Sequence, residues 1–329
     1  MNLKFLLSGS TFYGTGGGGD PKLAEKIYRS LKRPVKLRKI NDFTANEIFI
    51  TTYTVGGLNQ QLIKRKIIAK SLSIYQKLIN QKISGIIPVE IGPLSLALSV
   101  NLAGKLNLPL IDADFVGGRS TPEVFLETIS LFNIPRAPLL VINNLGKYKI
   151  LMRSKNYLAE EKFLRQFADK SGGFALVLGY PITQKVAKKS LCQKTVSLAI
   201  KTGEKINQGK LVGKLLFQGK ITTIKDIKQN GFTSKIMEIK NKQDLGKLYL
   251  KNENLIFWLN NKPLLTCPDL IILLNKNNLP LYNLNLKKNL IVKVVGLPAQ
   301  SLWRTKNGLK LFNPKLFGFN FAPKLLTTL

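Results

Sequence analysis

The 329-residue chain contains no histidine. That absence excludes Ser-His-Asp and Cys-His catalytic sets and any histidine-ligated metal centre. Acid–base work must then fall to Asp, Glu, Lys, Tyr or water. Cysteine is nearly absent as well. Cys192 and Cys267 lie far apart without a CxxC partner, too few thiols for a disulfide framework or a tetrahedral zinc site. Two small buried hydrophobes are the plain expectation for them. Long apolar runs are missing: Pro138–Ile142 and Leu270–Leu274 suit buried strands and fall far short of the roughly 20 residues a spanning helix needs. Met1–Leu7 carries one lysine and three consecutive apolar residues, below the stretch of about 7–15 that a secretory signal requires. No export signal and no membrane association are expected, and the expected location is the cytoplasm.

Acidic residues are scarce, with 18 Asp and Glu against 51 Lys and Arg for a net charge of +33. So strong a positive field resembles a nucleic-acid signature. The cations are nevertheless scattered from Lys4 to Lys324, and only Lys32–Lys39 and Lys64–Lys66 form patches. Neither patch is interleaved with the aromatics on which single-strand binders stack bases. A diffuse, salt-dependent and non-specific association with nucleic acid is the expectation.

What is present points to two folded units. Hydrophobic residues make up 44% of the chain, which is ordinary for a globular protein, and the length suits about two domains. In the first half, strand and helix patterns alternate. Strands are expected at Val35–Ile40, Glu47–Tyr53, Ile83–Ile91, Pro109–Ala113 and Pro138–Ile142. Helices are expected at about Pro21–Leu31, Leu62–Ile79, Leu94–Leu106 and Glu123–Phe132. Such alternation reads as an α/β domain with a largely parallel sheet. After a helix near Tyr157–Lys170 and a strand at Phe174–Leu178, short strands punctuated by Asn230-Gly231, Asn260-Asn261 and Asn307-Gly308 suggest a mainly antiparallel, barrel-like β domain. The expected division is an α/β domain over 1–168 and a mainly β domain over 169–329.

Four segments could carry chemistry. Gly14–Gly19 ends at Asp20-Pro21, an Asp N-cap followed by a proline at the first helical turn. Consecutive glycines cost backbone entropy, so this tract suggests that something approaches the backbone closely. The amides of Gly16, Gly17, Gly18 and Gly19 are candidate donors to a ligand, with a tight surface turn as the bland alternative. The tract formally contains GxGxxG, and Asp42 lies about where a ribose contact would fall. However, Pro21 places the glycines before the helix, whereas dinucleotide folds run them into it. No Lys-Ser or Lys-Thr pair of a P-loop follows. Asp112 and Asp114 stand two apart at the end of an apolar strand, where open α/β sheets build their sites. Arg119 and Glu123 follow them, and a capped structural turn is the competing reading. Glu90 ends another strand, and Tyr53–Gly57, with Thr54, a fourth.

These residues resemble a known family. Gly14–Pro21, Glu90-Ile91-Gly92, and Leu106–Asp114 with Arg119 and Pro122-Glu123 beyond are similar to the S-methyl thiohydantoin desulfurase family, often linked to hydantoinase or oxoprolinase-type proteins. The likeness continues through Thr195-Val196-Ser197, Leu216–Lys220, Gly231-Phe232-Thr233, Asn252-Glu253-Asn254, Cys267–Ile271, Leu302–Thr305 and Phe317-Gly318. The segment after Asp114 is one residue longer here than in the family's usual pattern. The resemblance implies an α/β N-terminal and a mainly β C-terminal domain, and a hydrolase acting on a hydantoin-like cyclic amide. Asp114 is then the expected base, with Glu90 and Asp112 as further catalytic carboxylates. Gly16–Gly19, Arg119, Thr54 and Glu123 are expected to bind the substrate, with no metal and no cofactor required. A non-catalytic accessory subunit of a hydantoinase-like assembly is the alternative. The expected partners are a small cyclic amide and either a second copy or such a partner subunit.

Overall fold

A computed structural model describes residues 1–56, 64–229 and 232–327. The Asn230-Gly231 turn, Gly57 and the first residues of the helix expected from Leu62 lie outside the described residues. In chain order the strands are β1 (Leu37–Arg38), β2 (Ile48–Gly56), β3 (Ile83–Ile86), β4 (Leu110–Ile111), β5 (Ala113–Asp114), β6 (Leu139–Ile142), β7 (Tyr148–Leu151), β8 (Phe174–Thr183) and β9 (Cys192–Gln193). They continue with β10 (Lys214–Gln229), β11 (Phe232–Lys240), β12 (Leu245–Lys251), β13 (Glu253–Leu259), β14 (Lys262–Thr266), β15 (Leu270–Leu274) and β16 (Ile291–Leu297). The helices are α1 (Leu3–Tyr13), α2 (Pro21–Arg29), α3 (Arg65–Ile79), α4 (Pro93–Leu106), α5 (Tyr157–Asp169), α6 (Gln184–Ser190), α7 (Thr195–Asn207), α8 (Ser301–Arg304) and α9 (Lys306–Leu311).

The first sheet has the order β1-β4-β3-β2-β8-β6-β7. Its first four strands pair in parallel, and β8, β6 and β7 extend it antiparallel. The second sheet, β14-β13-β12-β11-β10-β16-β15, is antiparallel throughout. It curls so that β13 meets β15, where Asn254 Nδ2 donates to the Ile271 carbonyl at 3.1 Å. The expected architecture, an α/β unit followed by an antiparallel β unit, is the one observed. Residues 174–183 form β8 within the first sheet, so that sheet draws on chain beyond residue 168.

Local signals account for several boundaries. Asp20 caps α2 by accepting from the Lys22 amide at 2.9 Å, with Pro21 in the first turn. Helices α3 and α4 stop at Asn80 and Asn107, both left-handed, a conformation asparagine tolerates better than most residues. The strands β6 and β15 are buried at every position, as their uninterrupted apolar runs require.

Other expectations fail. The helix expected over Glu123–Phe132 is only a short 3-10 segment, Thr128–Phe132. Glu127 is drawn into a buried ion pair with Arg136 at 2.7 Å, and the Thr128 amide bonds to the Phe115 carbonyl, so tertiary partners override helical periodicity. The strand expected to run from Ile83 to Ile91 ends at Ile86, and the second half, read as short strands, begins its sheet with one long strand, β10, bulged between Ile221 and Thr223. The helices α1, α6 and α7 have no counterpart in the sequence reading. Helices α1 and α7 pack at glycines: a Cβ on Gly9 would lie 1.8 Å from the Ala199 carbonyl oxygen, and one on Gly203 1.7 Å from that of Phe5. The contact that stabilises this pair therefore uses residues of poor helix propensity.

Candidate functional site

Parallel pairing of β1, β4, β3 and β2 brings the C-terminal ends of those strands to one rim, and the segments that follow them meet there. The Phe115 amide bonds to the Val89 carbonyl at 3.2 Å, Ile91 to the Arg119 carbonyl at 3.2 Å, and Ser120 to the Tyr13 carbonyl at 3.2 Å. The glycine tract joins from α1: the Gly18 carbonyl accepts from Leu94 at 3.0 Å, beside the start of α4. The second sheet supplies the opposite wall. The Asn254 amide donates to the Thr15 carbonyl and the Asn283 amide to that of Gly16, each at 2.9 Å.

This crowding explains the glycines. A Cβ on Gly17 would lie 2.1 Å from Glu253 Oε1, and one on Gly18 2.3 Å from Ser120 Oγ and 2.5 Å from Gly92 Cα. Gly16, Gly18 and Gly19 also have positive φ, which side chains rarely adopt. Close approach of three chain segments requires the tract. As a ligand donor it is partly spent, because the Gly17 amide already bonds to the Gly14 carbonyl at 2.8 Å.

The expected carboxylates fall into different surroundings. Asp112 is buried and faces α7, accepting from the Ser197 amide at 2.9 Å and from the Ser197 hydroxyl. It caps that helix across the fold. Asp114 is fully buried inside its own loop: Oδ2 accepts from Val116 at 2.9 Å and Gly117 at 2.8 Å, and Oδ1 from Gly118 at 2.7 Å. Burial pushes its pKa up to about 7, while the amides of Gly118, Val116 and Gly117 and the Thr195 hydroxyl oppose the rise. Asp112 and Asp114 thus address different partners. Thr54 pairs with Leu176 in the β2–β8 ladder, and no hydrogen bond among the described residues links it to the glycine tract. Glu123 forms an ion pair with Lys251 at the end of β12, tying the rim to the second sheet.

Glu90 is half-buried, with Oε1 accepting from Ser95 Oγ at 2.6 Å and Oε2 from the Thr121 amide at 3.2 Å. Desolvation raises its pKa, and the Ser95 hydroxyl, the Thr121 amide and Arg119 oppose the rise. Arg119 is fully buried. Its Nε donates to the Ser120 carbonyl at 2.9 Å, its Nη1 to the Pro268 carbonyl, and its guanidinium lies 4.9 Å from the Phe312 ring centre. Only Nη2 lacks a hydrogen-bond partner.

The residue that sequence reasoning did not single out is Glu253. It is fully buried in the Asn252-Glu253-Asn254 turn between β12 and β13, with Oε1 accepting from Asn252 Nδ2 at 2.9 Å and Oε2 unpartnered. Burial raises its pKa well above the usual carboxylate range, the nearby negative charge of Glu90 adds to the rise, and Arg119 opposes it. A carboxylate between two asparagines in a β turn was the available signal, but only the folded chain sets it against the glycine tract. The two cysteines are free and buried, each thiol pushed up to about 12 by burial. That is the inert state expected of them. No helix among the described residues is long and apolar enough to cross a membrane.

With this geometry in place, comparison with known proteins is informative. A family model described as S-Me-THD-like, N-terminal domain, matches residues 1–153, and one described as S-Me-THD-like, C-terminal domain, matches residues 155–325. A crystal structure of a protein from Chromobacterium violaceum, determined by the Northeast Structural Genomics Consortium, is similar with a TM-score of 0.80 at 20% identity. The similarity covers 98% of this chain and 97% of that one, and at such identity it speaks for the fold alone. A search of curated proteins found no match.

Proposed function

The chain belongs to the S-Me-THD-like family, and from that premise we propose that it hydrolyses an S-methyl thiohydantoin or a closely related five-membered ring. One observation carries the reading: two desolvated carboxyl groups, Glu90 and Glu253, share a rim with Arg119 and the glycine tract, and their pKa values are both raised. Pairs of carboxyl groups in unequal surroundings divide into a base and an acid. Glu90 is half-buried and reachable, so it takes the base role. Asp114, whose oxygens are held by three amides, keeps the loop in shape.

In this reaction Glu90 removes a proton from water as the oxygen bonds to the ring carbon that bears the methylthio group. The carbon–sulfur bond breaks, and Glu253, whose protonated form is favoured by burial, gives its proton to the departing methanethiolate. Hydantoin and methanethiol are the products, and return of the proton from Glu90 to Glu253 resets the site. Arg119 braces the two units and holds Nη2 toward developing negative charge on the ring.

Release of methanethiol, followed with a thiol reagent, tests the reading directly. The wild-type protein should release thiol, and Glu90→Gln should lower kcat by about 10²–10⁴-fold, the scale of general-base catalysis, with an unchanged melting temperature. A base works only when ionised, so activity should rise with pH through the pKa of Glu90. Because desolvation raises that pKa, the acid limb should lie above 4.5, the ordinary value for a glutamate. A wild-type protein that releases no thiol would remove the reading. A Glu90→Gln variant with the parental rate would remove only the role of Glu90.

A further inference from the structure

Thr15 stands where the backbone favours glycine. Gly14 and Gly16 flank it, and its own backbone is left-handed, with a φ of 49°. In that conformation Cβ crowds the following carbonyl oxygen, and a β-branched residue is an outlier. The other left-handed non-glycine residues among those described are asparagines, apart from Tyr180 and Lys194. The side chain gives nothing back to the fold through its polar atom. Thr15 is fully buried, and its Oγ1 has no hydrogen-bond partner, so an unsatisfied hydroxyl is added to a strained backbone. Glycine would avoid both costs. Their retention at one position points to a side chain that meets something other than its own chain.

The surroundings say what that is. Asn254 holds Thr15 from the second unit, its amide donating to the Thr15 carbonyl at 2.9 Å. Asn283 lies beside it, with its amide on the Gly16 carbonyl at 2.9 Å. The Asn283 Nδ2 is committed, donating to the Asn252 carbonyl at 2.8 Å and to Asn254 Oδ1 at 3.1 Å. Its Oδ1 has no partner and stands against the tract, 2.3 Å from where a Cβ on Gly16 would lie. Together with Arg119 Nη2 and Glu253 Oε2, these are four unpartnered buried polar atoms along one seam between the units. Asn252 is exposed and Asn283 only partly covered, so the seam reaches solvent on that side. A hydroxyl can donate, whereas an amide oxygen can only accept. The pair complements a C=O next to an N–H, which is the edge of a cyclic amide.

We propose that Thr15 and Asn283 are specificity residues that read such an edge, the Thr15 hydroxyl donating to the ring carbonyl and Asn283 Oδ1 accepting from the ring N–H. The inference takes the identity of the ring from the hydrolysis proposed above, and it adds that this ring nitrogen must be unsubstituted.

Isothermal titration calorimetry of the full chain with hydantoin, the product of that hydrolysis, and with its 1-methyl and 3-methyl derivatives tests the proposal. The wild-type chain should bind hydantoin, and one of the two methyl isomers should bind about tenfold or more weakly, because a site built to bond an N–H rejects the analogue that lacks it. Thr15→Val keeps the branched shape and removes only the hydroxyl. It should lose about tenfold in hydantoin affinity yet melt at the parental temperature or above, since it no longer buries an unpaired hydroxyl. Thr15→Ser should recover most of the lost affinity. A Thr15→Val variant with parental affinity would overturn the proposal, and so would one that melts several degrees lower, because the hydroxyl would then serve the fold. Equal affinity for all three rings, or no binding of hydantoin by the wild-type chain, would overturn it as well. Calorimetry reads binding without turnover, so a chain that binds hydantoin selectively but releases no thiol would lose the hydrolase reading and keep this one.

Discussion

At Asp114, three backbone amides close on one carboxylate, and on the proposed function that geometry gives it a structural part. Asn at this position would turn an NH₂ group toward amides that can only donate, leaving buried donors unpaired at about 1–3 kcal/mol. Asp114→Asn should therefore lower the melting temperature by several degrees, and the fraction that stays folded should keep its turnover. Differential scanning fluorimetry beside the thiol-release assay would check this. A variant of normal stability with lost turnover would return Asp114 to the role of base. Sequence spacing put Asp112 and Asp114 on equal terms, because position along a strand does not say which donors the surrounding chain will supply. Glu253 is the converse case: its flanking asparagines do not mark it as a site residue, and its raised pKa arises from burial beside Glu90.

Helices α1 and α7 illustrate the scale of the element. Neither has a strong helical pattern, and both carry an internal glycine, Gly9 and Gly203. These allow the two backbones to touch. Gly203→Ala would improve helix propensity by up to about 1 kcal/mol. It would also drive a methyl group to 1.7 Å from the Phe5 carbonyl oxygen, and overpacking against backbone costs about 1–3 kcal/mol. The net expectation is a lower midpoint in urea denaturation, and an unchanged or higher midpoint would show that α1 can move away freely. Elements whose signals are local were legible from sequence, as at Asp20-Pro21 before α2. Those held by a distant partner, such as α7 capped by Asp112, were not.

For the whole molecule, the two units are joined through buried groups. Trp303 Nε1 donates to the Val116 carbonyl at 2.6 Å, Arg119 reaches the Pro268 carbonyl, and Asn254 and Asn283 bond to the glycine tract. The largest apolar cluster runs through both, from Leu6 and Phe12 to Tyr249 and Trp303. Separating the units would break these bonds and expose the shared apolar cluster to water. The chain should therefore unfold in one transition, with the calorimetric and van't Hoff enthalpies in agreement. Both tryptophans, Trp258 and Trp303, are buried, so their fluorescence should change together with the far-ultraviolet circular dichroism. Two resolved transitions would contradict the shared core.

Composition and local pattern by themselves determined that histidine chemistry is excluded, that an α/β unit precedes an antiparallel β unit, and that the two cysteines are buried. These properties follow from residue types and from neighbours a few positions apart, where the forces are short-ranged. Tertiary structure alone decided that Glu253 stands against the glycine tract, that Asp112 and Asp114 spend their oxygens on amides and a hydroxyl, and that β8 enters the first sheet. Each of these depends on contacts between segments far apart in the chain, and such contacts are fixed by sheet register and packing, which adjacent residues do not encode.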